Sequence, residues 1–202
     1  MASRSTPAAG LRVLLEQAAG APLPDWSSVG PALTTRRLSP GEAVFRQDEV
    51  HPFVYAVRRG LVKLLYLDEA GHEWIKSFAR DGGYFASISA LAPGGTTSFM
   101  AVAVEASELE RLPFATLAAL ADQHLAWARA VSRLTMAFAA RKEQRERELL
   151  TLSAEQRYLA FCRADPDLEP RLTQKDIARY LGLTPVGLNR IIRRLRRGPV
   201  SK

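Results

Sequence analysis

Short apolar stretches separated by turn residues occupy the region from about Leu38 to Leu112. The separators are clusters of glycine, proline and aspartate, which favour reversals of the chain. Reversals about every ten residues predict an antiparallel sandwich or barrel. Before this region, we expect a short helix over Leu11–Ala19. Examples of the apolar stretches are residues 43–45, 53–57 and 61–66.

The pattern changes after Pro113. Residues 114–150 contain no glycine or proline and are rich in Ala, Leu, Arg and Glu, which predicts one long helix. Along it, a heptad seam recurs at alternating spacings of three and four. Such a seam faces either its own domain or a second chain, and we expect a homodimer interface; residues 141–148 beyond it are expected to be solvated. The seam consists of Leu117, Leu120, His124, Trp127, Val131, Leu134 and Phe138.

A smaller helical unit follows, with one helix predicted over 154–163 and two more closing the chain. We expect Thr173 to cap the first of these two helices, and Asp176 three positions later fits a capping-box variant. Gly182 ends that helix where a left-handed backbone is needed. Thr184 and Pro185 then begin the last helix as its cap and first residue. Ile177, Ala178, Leu181 and Leu183 supply the apolar and small positions of a helix-turn-helix.

The last helix divides into an apolar face and a basic face, the division that a recognition helix in the major groove of DNA requires. The alternative is a structural helical hairpin with an arginine-rich end. The apolar face consists of Leu188, Ile191, Ile192 and Leu195. The predicted DNA-binding residues are Thr173, Gln174, Thr184, Val186, Gly187, Asn189, Arg190, Arg193, Arg194 and Arg197, with Arg196 in the same basic cluster.

The positive charge is concentrated at this end of the chain. The formal net charge is +7. Residues 149–202 contain 11 Lys and Arg against 5 Asp and Glu, whereas residues 1–148 contain 17 against 16. A compact basic segment indicates a polyanionic partner such as double-stranded DNA, because cations near phosphates release condensed counterions. A solvated basic face would have the same composition.

Other features limit the chemistry. One cysteine, Cys162, excludes an intrachain disulfide and a cysteine-ligated cluster from this chain alone, and it favours the cytoplasm. No apolar run approaches the roughly 18 residues that span a bilayer, so we expect no membrane association. His72-Glu73 lacks a second histidine at metal spacing. We find no nucleophile–base pair, and therefore predict no enzyme activity, metal or cofactor.

With these motifs the chain resembles the cyclic AMP receptor/fumarate-nitrate regulator (Crp/Fnr) family. Residues 172–182 (LTQKDIARYLG) are similar to the first helix and turn of its DNA-binding motif. Residues 38–42 (LSPGE), 54–60 (VYAVRRG), Gly71 and 83–85 (GYF) are similar to its β-roll. The resemblance implies an α+β protein with an N-terminal antiparallel β-roll, a long dimerisation helix and a C-terminal helix-turn-helix. It also implies a homodimeric regulator controlled by a small-molecule effector, with RNA polymerase as a further partner.

The sequence departs from the family pattern at the effector site. Members that bind cyclic nucleotides have an acid that contacts the ribose and an arginine that neutralises the phosphate. Here Ser87 or Ile88 stands at the acid's position and Thr97 at the arginine's. Iron–sulfur members need several cysteines. We therefore expect an effector other than a cyclic nucleotide, or none. The hydroxyls near these positions are either pocket donors or turn residues; the candidate pocket is Phe85, Ser87, Ser89, Thr96, Thr97 and Ser98.

The DNA-binding end also departs from the family. Two base-contacting family positions are Pro185 and Val186 here, and only Arg190 matches the third. Residues 198–202 are too few for the usual two-stranded wing. The predicted organisation is a β-roll domain with its N-terminal helix at 1–112, a dimerisation helix at 113–150 and a DNA-binding domain at 151–202. The alternative function is a ligand-binding signalling protein whose helical end contacts a protein.

Overall fold

The computed structural model describes residues 9–197, so the expected absence of a wing at 198–202 lies outside the described residues. The helices are α1 (Leu11–Ala19), α2 (Ile88–Leu91), α3 (Phe114–Gln123), α4 (Leu125–Thr151), α5 (Ala154–Ala164), α6 (Gln174–Leu181) and α7 (Pro185–Arg197). The strands are β1 (Thr34–Leu38), β2 (Ala43–Phe45), β3 (Phe53–Arg59), β4 (Leu61–Leu67), β5 (Glu73–Arg80), β6 (Tyr84–Phe85), β7 (Met100–Ala103) and β8 (Ser107–Pro113). Short 3-10 helices span Trp26–Ser28 and Glu169–Arg171.

The strands of the described chain form two four-stranded antiparallel sheets, in the orders β1-β8-β3-β6 and β2-β7-β4-β5. This confirms the predicted antiparallel β-roll. The first strand begins at Thr34, four residues before the region with the β pattern. Residues 34–37 are polar and mostly exposed, so they lack the alternation that marks a half-buried strand. Pairing of β1 with β8 stabilises the strand instead.

Aromatic side chains fill the space between the sheets. Tyr55 is fully buried and stacks on Phe85, with ring centroids 5.0 Å apart. Phe45 packs against Phe99 at 5.5 Å. His51 stacks on Tyr55, and its Nε2 lies 2.6 Å from the Tyr55 hydroxyl. Burial, together with the nearby arginines, outweighs Glu49 and lowers the pKa of His51. The interior of the roll is therefore an aromatic core.

The predicted helix over 114–150 is two helices. His124 has an extended backbone, with φ −135° and ψ 121°, and separates α3 from α4. Its Nε2 lies 3.0 Å from Asp25. Immediately beyond the break, the indole of Trp127 donates to the carbonyl of Pro24 at 2.9 Å. Contacts with the segment before β1 thus accompany the interruption, although nothing in the local sequence breaks a helix.

The heptad seam faces the protein's own domain. Leu117, Leu120 and Trp127 are buried in a cluster with α1 and the outer surface of the first sheet, and Val131 and Leu134 pack against it. His124 and Phe138 also contact residues of this chain, Asp25 and Lys76. Packing within the chain therefore accounts for the periodicity of these seven residues and favours the intrachain alternative over the predicted dimer interface. Among the described helices, none is long and apolar enough to cross a membrane.

The C-terminal helices pack directly on the second sheet. Leu61 of β4 belongs to the same buried cluster as Ile177 and Leu181 of α6, and Phe78 of β5 borders that cluster. Tyr180 of α6 contacts Phe78 with ring centroids 5.3 Å apart. The helical domain is therefore in direct apolar contact with the β-roll.

Candidate DNA-binding surface

The helix-turn-helix has the caps predicted for it. The hydroxyl of Thr173 accepts from the Asp176 amide at 3.1 Å and begins α6. Gly182 ends α6 with φ +67°, in the left-handed region that favours glycine. The hydroxyl of Thr184 then accepts from the Gly187 amide at 3.0 Å, so α7 starts at Pro185. These local contacts confirm the predicted motif.

Two opposite stripes run along α7. Leu188, Ile191 and Ile192 are buried against α5 and α6. On the other side, Arg190 and Arg193 are exposed, and Val186 is 64% exposed. The spacing 186, 190, 193 keeps the three outward-facing residues on one stripe of the helix. This face therefore presents guanidinium donors and one methyl-bearing side chain to solvent.

The remaining predicted DNA-binding residues have different surroundings. The Thr173 and Thr184 hydroxyls serve as helix caps, although both residues are exposed, as is Gln174. Gly187 and Asn189 are half-buried. Arg194 forms an ion pair with Glu155 of α5, so its guanidinium contacts its own domain. The side chain of Arg197 lies outside the described residues.

The buried hydroxyls among the candidate effector residues bond to other groups of the roll. Thr97 is fully buried; its hydroxyl donates to the Arg46 carbonyl at 2.5 Å and accepts from the Glu49 amide at 3.0 Å. The buried Ser87 hydroxyl accepts from the Ser98 amide at 3.0 Å and lies 3.1 Å from the Ser89 hydroxyl. Ser89 donates to the Thr96 carbonyl at 2.7 Å.

These hydroxyls hold turns together, which was the alternative interpretation of the pattern. The sixth candidate, Phe85, is a core residue stacked on Tyr55. The buried hydroxyls already have protein partners and aromatic rings occupy the adjacent interior, which favours the turn interpretation over the predicted pocket.

Ion pairs between the β-roll and the helical domain were missed by the sequence reasoning. Lys63 of β4 lies 3.2 Å from Asp176 of α6 and 3.6 Å from Glu73, and Glu73 also pairs with Arg179. The partners of each interdomain pair are far apart in sequence, so no local sequence pattern indicates that they meet. The other contacts of this kind are Arg171 with Asp81 at 2.8 Å and with Glu105 at 2.7 Å, and Arg80 with Asp165 at 2.5 Å.

Replacing Lys63 by methionine should destabilise the docked helical domain. The side chains of Lys63 and Asp176 are largely buried, so the substitution leaves a carboxylate without its cation. We expect a cost of about 1–3 kcal/mol in the free energy of unfolding. Urea titration followed by circular dichroism measures it. Lys175→Met, at an exposed position of α6, is the matched control and should change little. Equal effects of both substitutions would contradict the role given to Lys63.

The architecture defines a class: a β-roll joined through helices to a helix-turn-helix domain. A family model for the cyclic nucleotide-binding domain matches residues 35–124, and one for the Crp-like helix-turn-helix domain matches residues 146–198. The chain is 29% identical over 168 residues to the fumarate and nitrate reduction regulatory protein of Shigella dysenteriae. That alignment covers 78% of this chain and 66% of the relative, slightly under two thirds of its length.

Solved structures show the same fold. FixK2 from Bradyrhizobium japonicum superposes with a TM-score of 0.70 at 23% identity, over 82% of this chain and 85% of that one. A CooA mutant from Carboxydothermus hydrogenoformans gives 0.69 at 15% identity, over 86% and 80%. The chain belongs to the Crp/Fnr family of helix-turn-helix transcription regulators.

Proposed function

We propose that this protein is a transcription regulator that binds specific DNA sequences as a homodimer. The observation that carries the proposal is the outward stripe of α7, where Arg190 and Arg193 are exposed opposite a buried apolar stripe. Among the described residues, neither arginine has a carboxylate within ion-pair distance. Both are therefore available to donate hydrogen bonds to a phosphate or to the edge of a base.

We assign base contacts to the first turns of α7 and phosphate contacts to its later turns. Arginine donates two hydrogen bonds to guanine in the major groove, and an apolar side chain contacts the methyl group of thymine. Arg190 and Val186 have the matching chemistry and exposure. Arg193, Arg196 and Arg197 follow towards the end of the helix as phosphate contacts. Arg194 is paired with Glu155, so it contacts a phosphate only when the phosphate displaces that carboxylate.

Arg190→Ala tests this function. We expect a loss of about 1–3 kcal/mol on the preferred site and weaker discrimination among sites, because a bidentate base contact disappears. The preferred site is first selected from random duplexes by the full-length protein. Fluorescence anisotropy then measures affinity for that duplex and for a scrambled one. Arg163→Ala, at an exposed position of α5, is the control for loss of one positive charge.

Two results would count against the proposal. Equal weakening by Arg190→Ala on selected and scrambled duplexes would make the residue a phosphate contact. Failure of the unmodified protein to enrich any duplex, at low salt and across effector candidates, would contradict sequence-specific DNA binding itself.

We propose that the homodimer forms through the outer face of α4, which lies opposite the buried seam. Met136 is 69% exposed and Leu150 is 78% exposed, although both are large apolar residues. Ser132 and Ala139 are small and exposed, which permits close approach of a second helix. The spacings of three and four place the whole set on one side of α4. This outer face consists of Leu125, Arg129, Ser132, Met136, Ala139, Glu143, Glu146 and Leu150.

We also propose that no cyclic nucleotide binds within the roll. A cyclic phosphate keeps one negative charge, and burying that charge without a cation costs several kcal/mol. Thr97, at the position of the family's arginine, is neutral and already uses its hydroxyl twice. Tyr55, Phe85 and Phe99 occupy the interior that a base would need.

A further inference from the structure

A cavity of about 750 Å³ lies between the β-roll, the second half of α4 and the helical domain. Its volume falls in the range of about 300–1,000 Å³ that holds small organic ligands. Strands β5 and β6 form one wall, α4 forms a second, and α5 and α6 form the third. The aromatic residues of the lining are Phe78, Tyr84, Phe85, Phe138, Phe161 and Tyr180.

The inner stripe of α4 changes chemistry where it reaches this cavity. Trp127, Val131 and Leu134 belong to or pack against the buried cluster with α1. The same spacing continues through Phe138 to Arg141 and Arg145, which line the cavity. The charged residues that follow the seam thus include side chains directed towards an interdomain space. The sequence pattern predicts a solvated stretch there.

Positive charge predominates in the lining. Among the described residues, six cationic side chains line the cavity, against the carboxylates of Glu148 and Asp165. Asp165 is already paired with Arg80 at 2.5 Å. The guanidinium of Arg157 donates to the carbonyls of Leu149 and Leu152. The six are Lys76, Arg80, Arg141, Lys142, Arg145 and Arg157.

In the described part of the chain, only Arg80 of the six has a carboxylate within ion-pair distance, and Arg145 and Arg157 donate to backbone carbonyls. Lys76, Arg141 and Lys142 have neither kind of partner there. Aromatic faces lie next to Lys76 and Arg141. The Lys76 ammonium lies 4.0 Å from the centroid of Phe99 and 5.3 Å from that of Phe138. The Arg141 guanidinium lies 4.7 Å from the centroid of Tyr84.

The pKa of Lys76 reflects both its burial and the neighbouring positive charge. Burial, and secondarily the charge of Lys142, lowers the pKa of Lys76 to about 8. Its cationic form is therefore less favourable here than in water. A bound anion would offset both causes, because it would replace lost hydration and screen the repulsion from Lys142.

We propose that this cavity binds an organic anion that carries a planar ring. The anionic group would contact Lys76, Arg141 and Lys142, and the ring would lie against the aromatic walls. Guanidinium and ammonium groups supply charge-assisted hydrogen bonds to such a group, and aromatic walls bury the ring. The site is separate from Ser87 and Thr97. Because α5 and α6 form one wall, a ligand here would contact the helical domain directly.

The probe for this site is 8-anilinonaphthalene-1-sulfonate, an aromatic sulfonate whose fluorescence rises in apolar surroundings. N-phenyl-1-naphthylamine has the same ring system without the sulfonate and is the matched uncharged probe. Both are titrated into the full-length protein without DNA, so the outcome does not depend on the proposed DNA binding. We expect saturable binding of the sulfonate to one site per chain.

The variant Arg141→Gln/Lys142→Gln should weaken sulfonate binding by about tenfold or more while binding of the uncharged probe changes by less than about twofold. Both positions are exposed, and circular dichroism checks that the fold is retained. Lys76→Met should act in the same direction. Arg163→Gln is the control for loss of a cation outside the cavity. Unchanged sulfonate affinity in the folded double variant, or equal loss for both probes, would overturn the proposal.

Discussion

Replacing Trp127 by alanine is expected to cost about 3–5 kcal/mol in the free energy of unfolding. The side chain is 0% exposed, and its ring stacks on Trp26 with centroids 5.6 Å apart and planes within 1°. Its indole N–H donates to the Pro24 carbonyl at 2.9 Å. The substitution removes this packing, leaves a cavity and deprives the carbonyl of its donor. Chemical denaturation followed by far-ultraviolet circular dichroism measures the loss.

Trp74→Ala is the matched control, because Trp74 is 55% exposed on β5. We expect its effect to stay within about 1 kcal/mol. The comparison also separates two roles of Trp127. If Trp127 instead lay in the dimer interface, its replacement would give folded monomers of nearly unchanged stability. Such monomers would contradict the intrachain packing described for the seam.

The helix-turn-helix was predictable because its determinants are local. Thr173, Gly182 and Thr184 each act within a few residues of their own position, through a cap or a left-handed turn. The turn residues of the β-roll are similarly local. The interruption at His124 was not predictable, since its neighbours are good helix formers and its described contacts are with a segment about 100 residues earlier.

The seam illustrates a second limit of sequence patterns. Apolar residues at spacings of three and four show that one face of a helix is buried, but not what buries it. Here α1 and the outer surface of the first sheet cover that face. The outer face of α4 was overlooked because Ser132, Ala139 and Glu143 interrupt its apolar residues. Only the exposure of Met136 and Leu150 draws attention to it.

The effector site shows the limit for polar residues. Serine and threonine in turns have the same local sequence whether their hydroxyls contact a ligand or the backbone. In the structure, Ser87 and Thr97 are buried and their hydroxyls have protein partners, which favours contact with the backbone over contact with a ligand. Conversely, Lys76 and Arg141 are distant in sequence and in different elements, so no motif could have placed them around one cavity.

Introducing aspartate at both Met136 and Ala139 is expected to convert the proposed homodimer into folded monomers. Both side chains are exposed in the single chain, so neither substitution disturbs its core. In the dimer each would place a carboxylate against an apolar partner face and repel its symmetry mate. Size-exclusion chromatography with light scattering measures the mass, and circular dichroism checks the helices.

Val131→Asp/Leu134→Asp is the contrasting variant. These positions pack against the buried cluster around α1, so charges there should destabilise the fold itself by several kcal/mol. If the outer face is the interface, the first variant gives stable monomers and the second gives a poorly folded protein. A dimer that survives Met136→Asp/Ala139→Asp would contradict the assignment, as would a monomeric unmodified protein.

Loss of the dimer should also weaken DNA binding by about a hundredfold or more on a selected near-palindromic site. Two recognition helices on one dimer contact half-sites about 34 Å apart, and the second contact forms at a high effective concentration. A monomer retains only one α7, with its Arg190 and Arg193. Affinity for an isolated half-site should therefore be the same in the variant and the unmodified protein, within about threefold. An equal loss on the half-site would show that the substitutions damage the DNA-binding domain rather than the pairing of two chains.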